Sequence, residues 1–432
     1  MGMGLVRIVP FMSRAAIRLA LAAVVFGFGV SSLGLNTGQA LTSNIELRLK
    51  VTSPRMTLLE VDEDGLVGSP DGHITFLRED GRLRMWAPIN GGTVELATTN
   101  FLDVHAMTIP AEETFWPRGN GFDSEYAGGS KVLRLPNGDL AMIYHGEHHP
   151  CAGDRAEVNV GLAISDDDGA TWQRRGKILT ASPYDFESCE ERRFFGAGSF
   201  SGVVSPDGKY LYLYHHIWHP EQSCYITVSR SEISSGLGPG TWTRYYQDSW
   251  SQPGLGGLGS DMWREPPGQE GCMAGIPSVS WNPTYKMWLA VFVTFKGFAY
   301  TSSPDGVNWA TPRMLMRGVT LVAPESLIDH EQYIYYPSLI DPRANQDGRT
   351  NKKSLLIYAF GGWTAAHHMV ANRVEISAVQ VAVPDTLPPT GAGMDVMKII
   401  LGALCTCGAG LGLFSRKRGS NRPLGGPQTH AK

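Results

Sequence analysis

The sequence predicts an all-β protein: a β-propeller of four-stranded antiparallel blades, five in number, with six also compatible. Three observations carry that prediction. A two-strand pattern recurs along the chain at intervals of about 60 to 77 residues. Trp-bearing turns punctuate the repeats. No long amphipathic helical pattern interrupts them.

The elements follow in chain order. Arg7, Arg14 and Arg18 precede an apolar run at 19–30, and Gly38 and Ala40 stand at −3 and −1 of a cleavage site. Residues 1–40 therefore read as a secretory leader. The propeller domain is expected over 41–384. Its first strand, 45–51, is placed to complete the last blade and close the ring. An N-terminal unit is visible at 74–76, 83–86 and 94–98. Further copies begin at Gly128, Gly198, Gly275 and Tyr336. Each has a small-residue start, a turn and a second apolar strand. Between the strands expected at 158–164 and 173–179 lies Ser165-Asp166-Asp167-Asp168-Gly169-Ala170-Thr171-Trp172. Short side chains here bond turn amides, glycine takes the positive-φ position and the indole packs beneath the hairpin.

That turn resembles the Asp-box of sialidases and other carbohydrate-active propellers. A degraded copy spans 302–309, and only Gly240-Thr241-Trp242 remains in the unit between. The motif marks a blade and speaks to fold, not catalysis. At the other end, Leu387-Pro388-Pro389-Thr390-Gly391, an apolar stretch at 399–414 and Arg416-Lys417-Arg418 resemble a sortase-processed cell-wall sorting signal of Gram-positive type. That resemblance makes 385–432 an anchor segment, sortase a partner, and the outer cell surface the location. The apolar stretch also has the character of a short membrane anchor.

Charged residues make up only 18% of the chain, the net charge is −4, and no long basic run lies in the propeller. Nucleic acid is excluded as a partner on those grounds. A monomer is expected, with no cofactor and no resident metal. Four cysteines fall in the propeller: Cys151, Cys189, Cys224 and Cys272. An even count in a secreted domain points to disulfides. Equivalent repeat positions favour Cys151–Cys189 and Cys224–Cys272.

In a propeller the loops before the inner strands surround the channel mouth. Carboxylates stand there in each complete unit: Asp123 and Glu125, Glu190 and Glu191, Glu265 and Glu270, Asp329 and Glu331. This arrangement resembles the family 43 type of glycoside hydrolase, whose three acids on consecutive blades act as general base, orienting carboxylate and general acid. Blade order maps those roles onto Asp123, Glu191 and Glu270. The Asp-Pro pair usual in that family is absent at Asp123. The implied chemistry needs one carboxyl protonated and another ionised, and the implied substrate is an oligosaccharide or polysaccharide.

Two histidine-rich segments, 144–150 and 214–220, end equivalent strands. His145, His215 and Trp218 are expected to contact substrate, with Arg193 beside the acidic pair. His145, His148, His149 and Glu147 are also suitable metal ligands, though strand alternation sends neighbours to opposite faces. Two other functions fit the same fold. A sialidase would use Arg118, Arg192 and Arg264 for a substrate carboxylate and Tyr335 or Tyr336 as nucleophile. A non-catalytic carbohydrate-binding or adhesin propeller would need neither set.

Overall fold

The computed structural model describes residues 45–60, 70–89, 91–106, 115–150, 156–183, 194–219, 223–263, 275–318, 320, 333–361 and 367–380. The leader, the sorting signal, Cys151, Cys189 and Cys272 lie outside them. Cys224 is disulfide-bonded. Among the described residues no helix is long and apolar enough to cross a membrane.

The described chain from Ile45 onward is a five-bladed β-propeller. Blade I contains β3 (Thr75–Glu79), β4 (Arg82–Ile89), β5 (Gly92–Asn100) and β6 (Asp103–Ala106). Blade II contains β7 (Tyr126–Arg134), β8 (Leu140–His148), β9 (Ala156–Ser165) and β10 (Gln173–Leu179). Blade III contains β11 (Phe194–Val204), β12 (Tyr210–His219), β13 (Ser223–Glu232) and β14 (Thr243–Tyr246), edged by β15 (Ser249–Pro253). Blade IV contains β16 (Gly275–Asn282), β17 (Met287–Thr294), β18 (Gly297–Ser303) and β19 (Arg313–Arg317). Blade V contains β20 (Tyr333–Ile340), β21 (Lys353–Gly361), β22 (His367–Gln380) and β1 (Ile45–Val51). The short β2 (Met56–Leu59) pairs with the other end of β22. Within each blade the strands meander in order and pair antiparallel.

β1 closes the ring as the sequence predicts, with Ile45 opposite Gln380 and Val51 opposite Val374. The outermost strand of the last blade thus comes from the start of the domain. Closure is also visible in the packing. Among the described residues, five of the six buried apolar clusters lie one at each junction, including the one between blades V and I. Phe76, Met85, Ile340, Leu355 and Met369 fill that last junction. Each large aliphatic side chain so buried contributes roughly 1.5–3 kcal/mol.

The inner strands are tied to each other by hydroxyls, because adjacent blades share no continuous ladder. Val132 N–H donates to Thr75 Oγ1 at 2.9 Å, and Val279 N–H to Ser201 Oγ at 2.8 Å. Leu339 N–H donates to Ser278 Oγ at 2.8 Å, and Ile74 N–H to Ser338 Oγ at 3.1 Å. Blades II and III are joined differently, by a short parallel pairing of Phe194–Gly196 with Ala156–Val158.

A loop from blade V spans the floor of the channel. Asn345 O accepts from Arg78 N–H of blade I, and Asp347 takes the ammonium of Lys131 from blade II at 2.9 Å. Arg349 donates to Ser205 O of blade III, and Gly348 O accepts from Trp281 N–H of blade IV. Lys131 and Asp347 are fully buried. Burial pulls the Lys131 pKa down; burial would raise Asp347, but Lys131 and His73 together outweigh it and hold that carboxyl low.

The turn at 165–172 joins β9 to β10 on that floor side, away from the mouth. Asp168 and Gly169 take φ of 59° and 91°. Ser165 donates to Asp167, which accepts from Thr171 N–H at 2.8 Å and from its hydroxyl at 2.6 Å. Those bonds lower the Asp167 pKa to about 2. Asp168 is bridged to Arg134 and to Arg84 of blade I. Residues 303–309 hold a shorter turn of similar kind: Ser303 donates to Asp305, which accepts from Val307 and Asn308 N–H.

Candidate active site

Each inner strand of blades II to V bulges near its start, shown by a register shift against its partner. In blades III, IV and V a non-glycine residue in the bulge takes positive φ: Ser199 at 41°, Ile276 at 51° and Tyr336 at 53°. Bulges re-aim side chains, and strain held by bulky residues clusters at functional sites. Tyr336 illustrates the effect. Its turned side chain hydrogen-bonds the carboxyl of Asp71.

Asp71 lies just before β3, in Ser69-Pro70-Asp71-Gly72-His73. Its backbone is fixed from both sides: the amide donates to Pro88 O at 2.8 Å, and the carbonyl accepts from the Tyr126 hydroxyl at 2.5 Å. Burial raises its carboxyl pKa to about 6; the Tyr336 bond opposes the rise and the charge of Glu147 adds to it. Burial also pushes the Tyr126 and Tyr336 hydroxyls well up, and the adjacent Asp71 adds to that. Both phenols therefore stay protonated, as donors.

Glu147, near the end of β8, is the second carboxylate. His145 Nε2 meets its Oε1 at 2.8 Å and His149 Nε2 meets its Oε2 at 2.9 Å. Burial alone would raise Glu147, but these two histidines outweigh it and hold the carboxyl below its ordinary range. The orientation of His145 is set from the next blade. Ser199 N–H donates to His145 Nδ1 at 3.0 Å, so Nε2 carries the proton that Glu147 accepts. Gly198 makes this approach possible, since a Cβ there would stand 2.4 Å from His145 Nδ1. The mouth thus holds two neighbouring carboxyls with pKa values driven apart, the pattern of an acid/base site.

The residues expected from sequence are distributed differently. His145 is in the site. Asp123 is buried away from Asp71: Arg174 Nε donates to its Oδ2 at 2.5 Å and the Tyr144 hydroxyl at 3.1 Å. Arg174 also reaches Trp116 O and lies over the Phe115 ring, so this carboxylate is committed to an ion pair at the blade I–II junction. His215 faces the interior between blades II and III, bonded to Ser229 at 3.0 Å, and burial holds it neutral. Trp218 is half-buried, 5.7 Å from Phe194. Arg118 is exposed. Glu190, Glu191, Arg192, Arg193, Arg264, Glu265, Glu270, Asp329 and Glu331 lie outside the described residues. Among the described residues no group of three His, Cys, Asp or Glu side chains is arranged to hold a metal ion.

The sequence analysis missed Asp71 and Tyr126 as site residues, and named Tyr336 only as a nucleophile in the sialidase alternative. Asp71 carried a usable signal: it stands before an inner strand, as the surveyed acids do. The expected unit begins at Ile74, three residues beyond it.

No protein-family model and no curated protein matches the chain. Among solved structures, it is similar to the catalytic domain of the Coprinopsis cinerea GH62 alpha-L-arabinofuranosidase, at 13% identity over 76% of this chain and 97% of that one, with a TM-score of 0.43. It is similar to Zg3597, a family 117 glycoside hydrolase of Zobellia galactanivorans, at 11% identity over 79% and 94%, TM-score 0.47. An alpha-L-arabinofuranosidase from Lactobacillus brevis gives 13% identity over 71% and 91%, TM-score 0.45. The fold assignment rests on the chain's own five blades and five junction cores.

Proposed function

We propose that the chain is a glycoside hydrolase, secreted and held at the cell surface by its C-terminal sorting signal, acting on an oligosaccharide or polysaccharide. One observation carries this reading: Asp71, raised to about 6, sits at the channel mouth beside an ionised Glu147. Raised basicity suits a general base that works near neutral pH. Asp71 takes the proton of a water as that water attacks the anomeric carbon. Tyr336 and Tyr126 orient Asp71, and Glu147 sustains its basicity. The acid that protonates the departing oxygen has to stand across the channel from blade I. Glu191 and Glu270, which the sequence pattern singles out, are the candidates for that acid. Asp71 replaces Asp123 as base, since Asp123 is occupied by Arg174.

The sialidase alternative is disfavoured by Tyr336. Burial and Asp71 push its pKa upward, opposite to what a phenolate nucleophile needs.

The test is a panel of aryl glycosides assayed with Asp71→Asn, Glu191→Gln and Glu270→Gln. Asp71→Asn is expected to lose on the order of 10²–10⁴ in kcat on every substrate that is cleaved. One of the two Gln variants is expected to lose activity on poor leaving groups and keep it on dinitrophenyl glycosides, which need no protonation. Full activity of Asp71→Asn rejects the assignment.

A further inference from the structure

Blades II and III offer the same device to the blade that follows, built one residue apart. In β8, His145 is opposite Gly128 and faces blade III. In β12, His216 is opposite Gly198 and faces blade IV, where Gly275 lies against its ring. Two residues further on, and so on the same strand face, stand Glu147 in blade II and Trp218 in blade III. The receiving bulges also correspond, Ser199 in blade III and Ile276 in blade IV, both at positive φ.

The two copies differ in one respect. A Cβ at Gly198 would stand 2.4 Å from His145 Nδ1, but one at Gly275 would stand 3.5 Å from His216 Nδ1. Blade IV keeps about an ångström further from its histidine. His145 has both ring nitrogens filled, by Ser199 and Glu147. His216 is 3% exposed, yet neither of its nitrogens has a partner among the described residues. Leaving a buried polar atom unsatisfied costs about 1–3 kcal/mol, so such atoms persist where something else binds them. Burial lowers the His216 pKa to about 3, so the ring is neutral, with one donor and one acceptor. A sugar hydroxyl is also both. The Trp218 ring lies 4.2 Å from that of His216 and is half-buried, with Phe194 beyond it.

We propose that His216 and Trp218 form a sugar subsite between blades III and IV, where the imidazole hydrogen-bonds the hydroxyls of a neutral sugar ring and the indole packs on its apolar face. The subsite deepens the glycosidase reading by naming where a ring across the mouth from Asp71 is held. His216 acts there as a positioning residue.

The full chain labelled with ¹⁵N-histidine is titrated with cellotetraose, xylotetraose and arabinotetraose. The His216 ring signals are identified by their loss in His216→Phe. They are expected to move saturably with at least one probe, and His216→Phe is expected to weaken that probe's binding tenfold or more. Trp218→Ala, on the half-exposed side, is expected to act in the same direction, which keeps the test open if His216→Phe misfolds. On a cleaved oligosaccharide both variants are expected to raise KM while leaving kcat within about threefold. Ring signals unmoved by every probe, or both variants binding like the wild type, overturn the subsite; the nitrogens then hold water. Asp71→Asn separates the two ideas. If it binds the probe normally but also hydrolyses normally, the subsite stands and the catalytic assignment falls.

Discussion

If Asp71 is held at about 6 in the folded protein, its ionisation opposes folding, and removing the charge reveals by how much. The ordinary value for this carboxyl is 3.8. A rise from there to about 6 corresponds to about 3 kcal/mol against the ionised form. The sign follows from linkage. The native state binds this proton more tightly than the unfolded chain, so its contribution is complete below pH 3.8 and is lost as pH rises through about 6. Asp71→Asn removes that dependence. Urea unfolding of wild type and variant at pH values from 4 to 8 is expected to give curves that diverge upward in pH, the variant gaining about 3 kcal/mol relative to wild type by pH 7. The same variant is expected to be inactive, so stability and catalysis move in opposite directions. Parallel curves over the whole range would refute both the raised pKa and the partly buried setting of the carboxyl that causes it.

Three further outcomes are expected. Arg174→Met leaves Asp123 buried without its cation and is expected to lower stability by about 3–5 kcal/mol, while Asp123→Asn keeps turnover; an inactive Asp123→Asn with unchanged thermal unfolding would contradict the structural role. Lys131→Met is expected to lose a similar amount in urea unfolding, and the double variant with Asp347→Asn to recover at least half of it, because the damage lies in the charge left behind. Asp167→Ala is expected to lower the melting temperature and leave kcat/KM unchanged, since its bonds stay within the 165–172 turn on the floor side.

The blades were legible because their physics is local. Alternation and turn residues located β9 and β10 to within two residues, and the orphan strand at 45–51 pairs with β22 as closure requires. The site was less legible because it depends on register. Tyr144 and Tyr214 align by sequence, which makes His215 the counterpart of His145. The hairpin between Val204 and Leu211 holds one residue more than the one between Arg134 and Leu140, so that His216 occupies that place and His215 turns inward. One residue of slip exchanges the two faces of a strand. Asp123 shows a second limit. Its position before an inner strand is what the pattern expects, but its partner Arg174 comes from the outermost strand of the same blade, a contact that no spacing in the sequence announces.

The blade V loop under the channel also bears on how a polymer can be handled. With Asn345, Asp347, Gly348 and Arg349 bonded to four different blades, the ring is a cup and not a tunnel. The four bonds tie the described parts of blades I to IV together from below. On the proposed function, a glycan would meet Asp71 from the mouth side and leave by the same side.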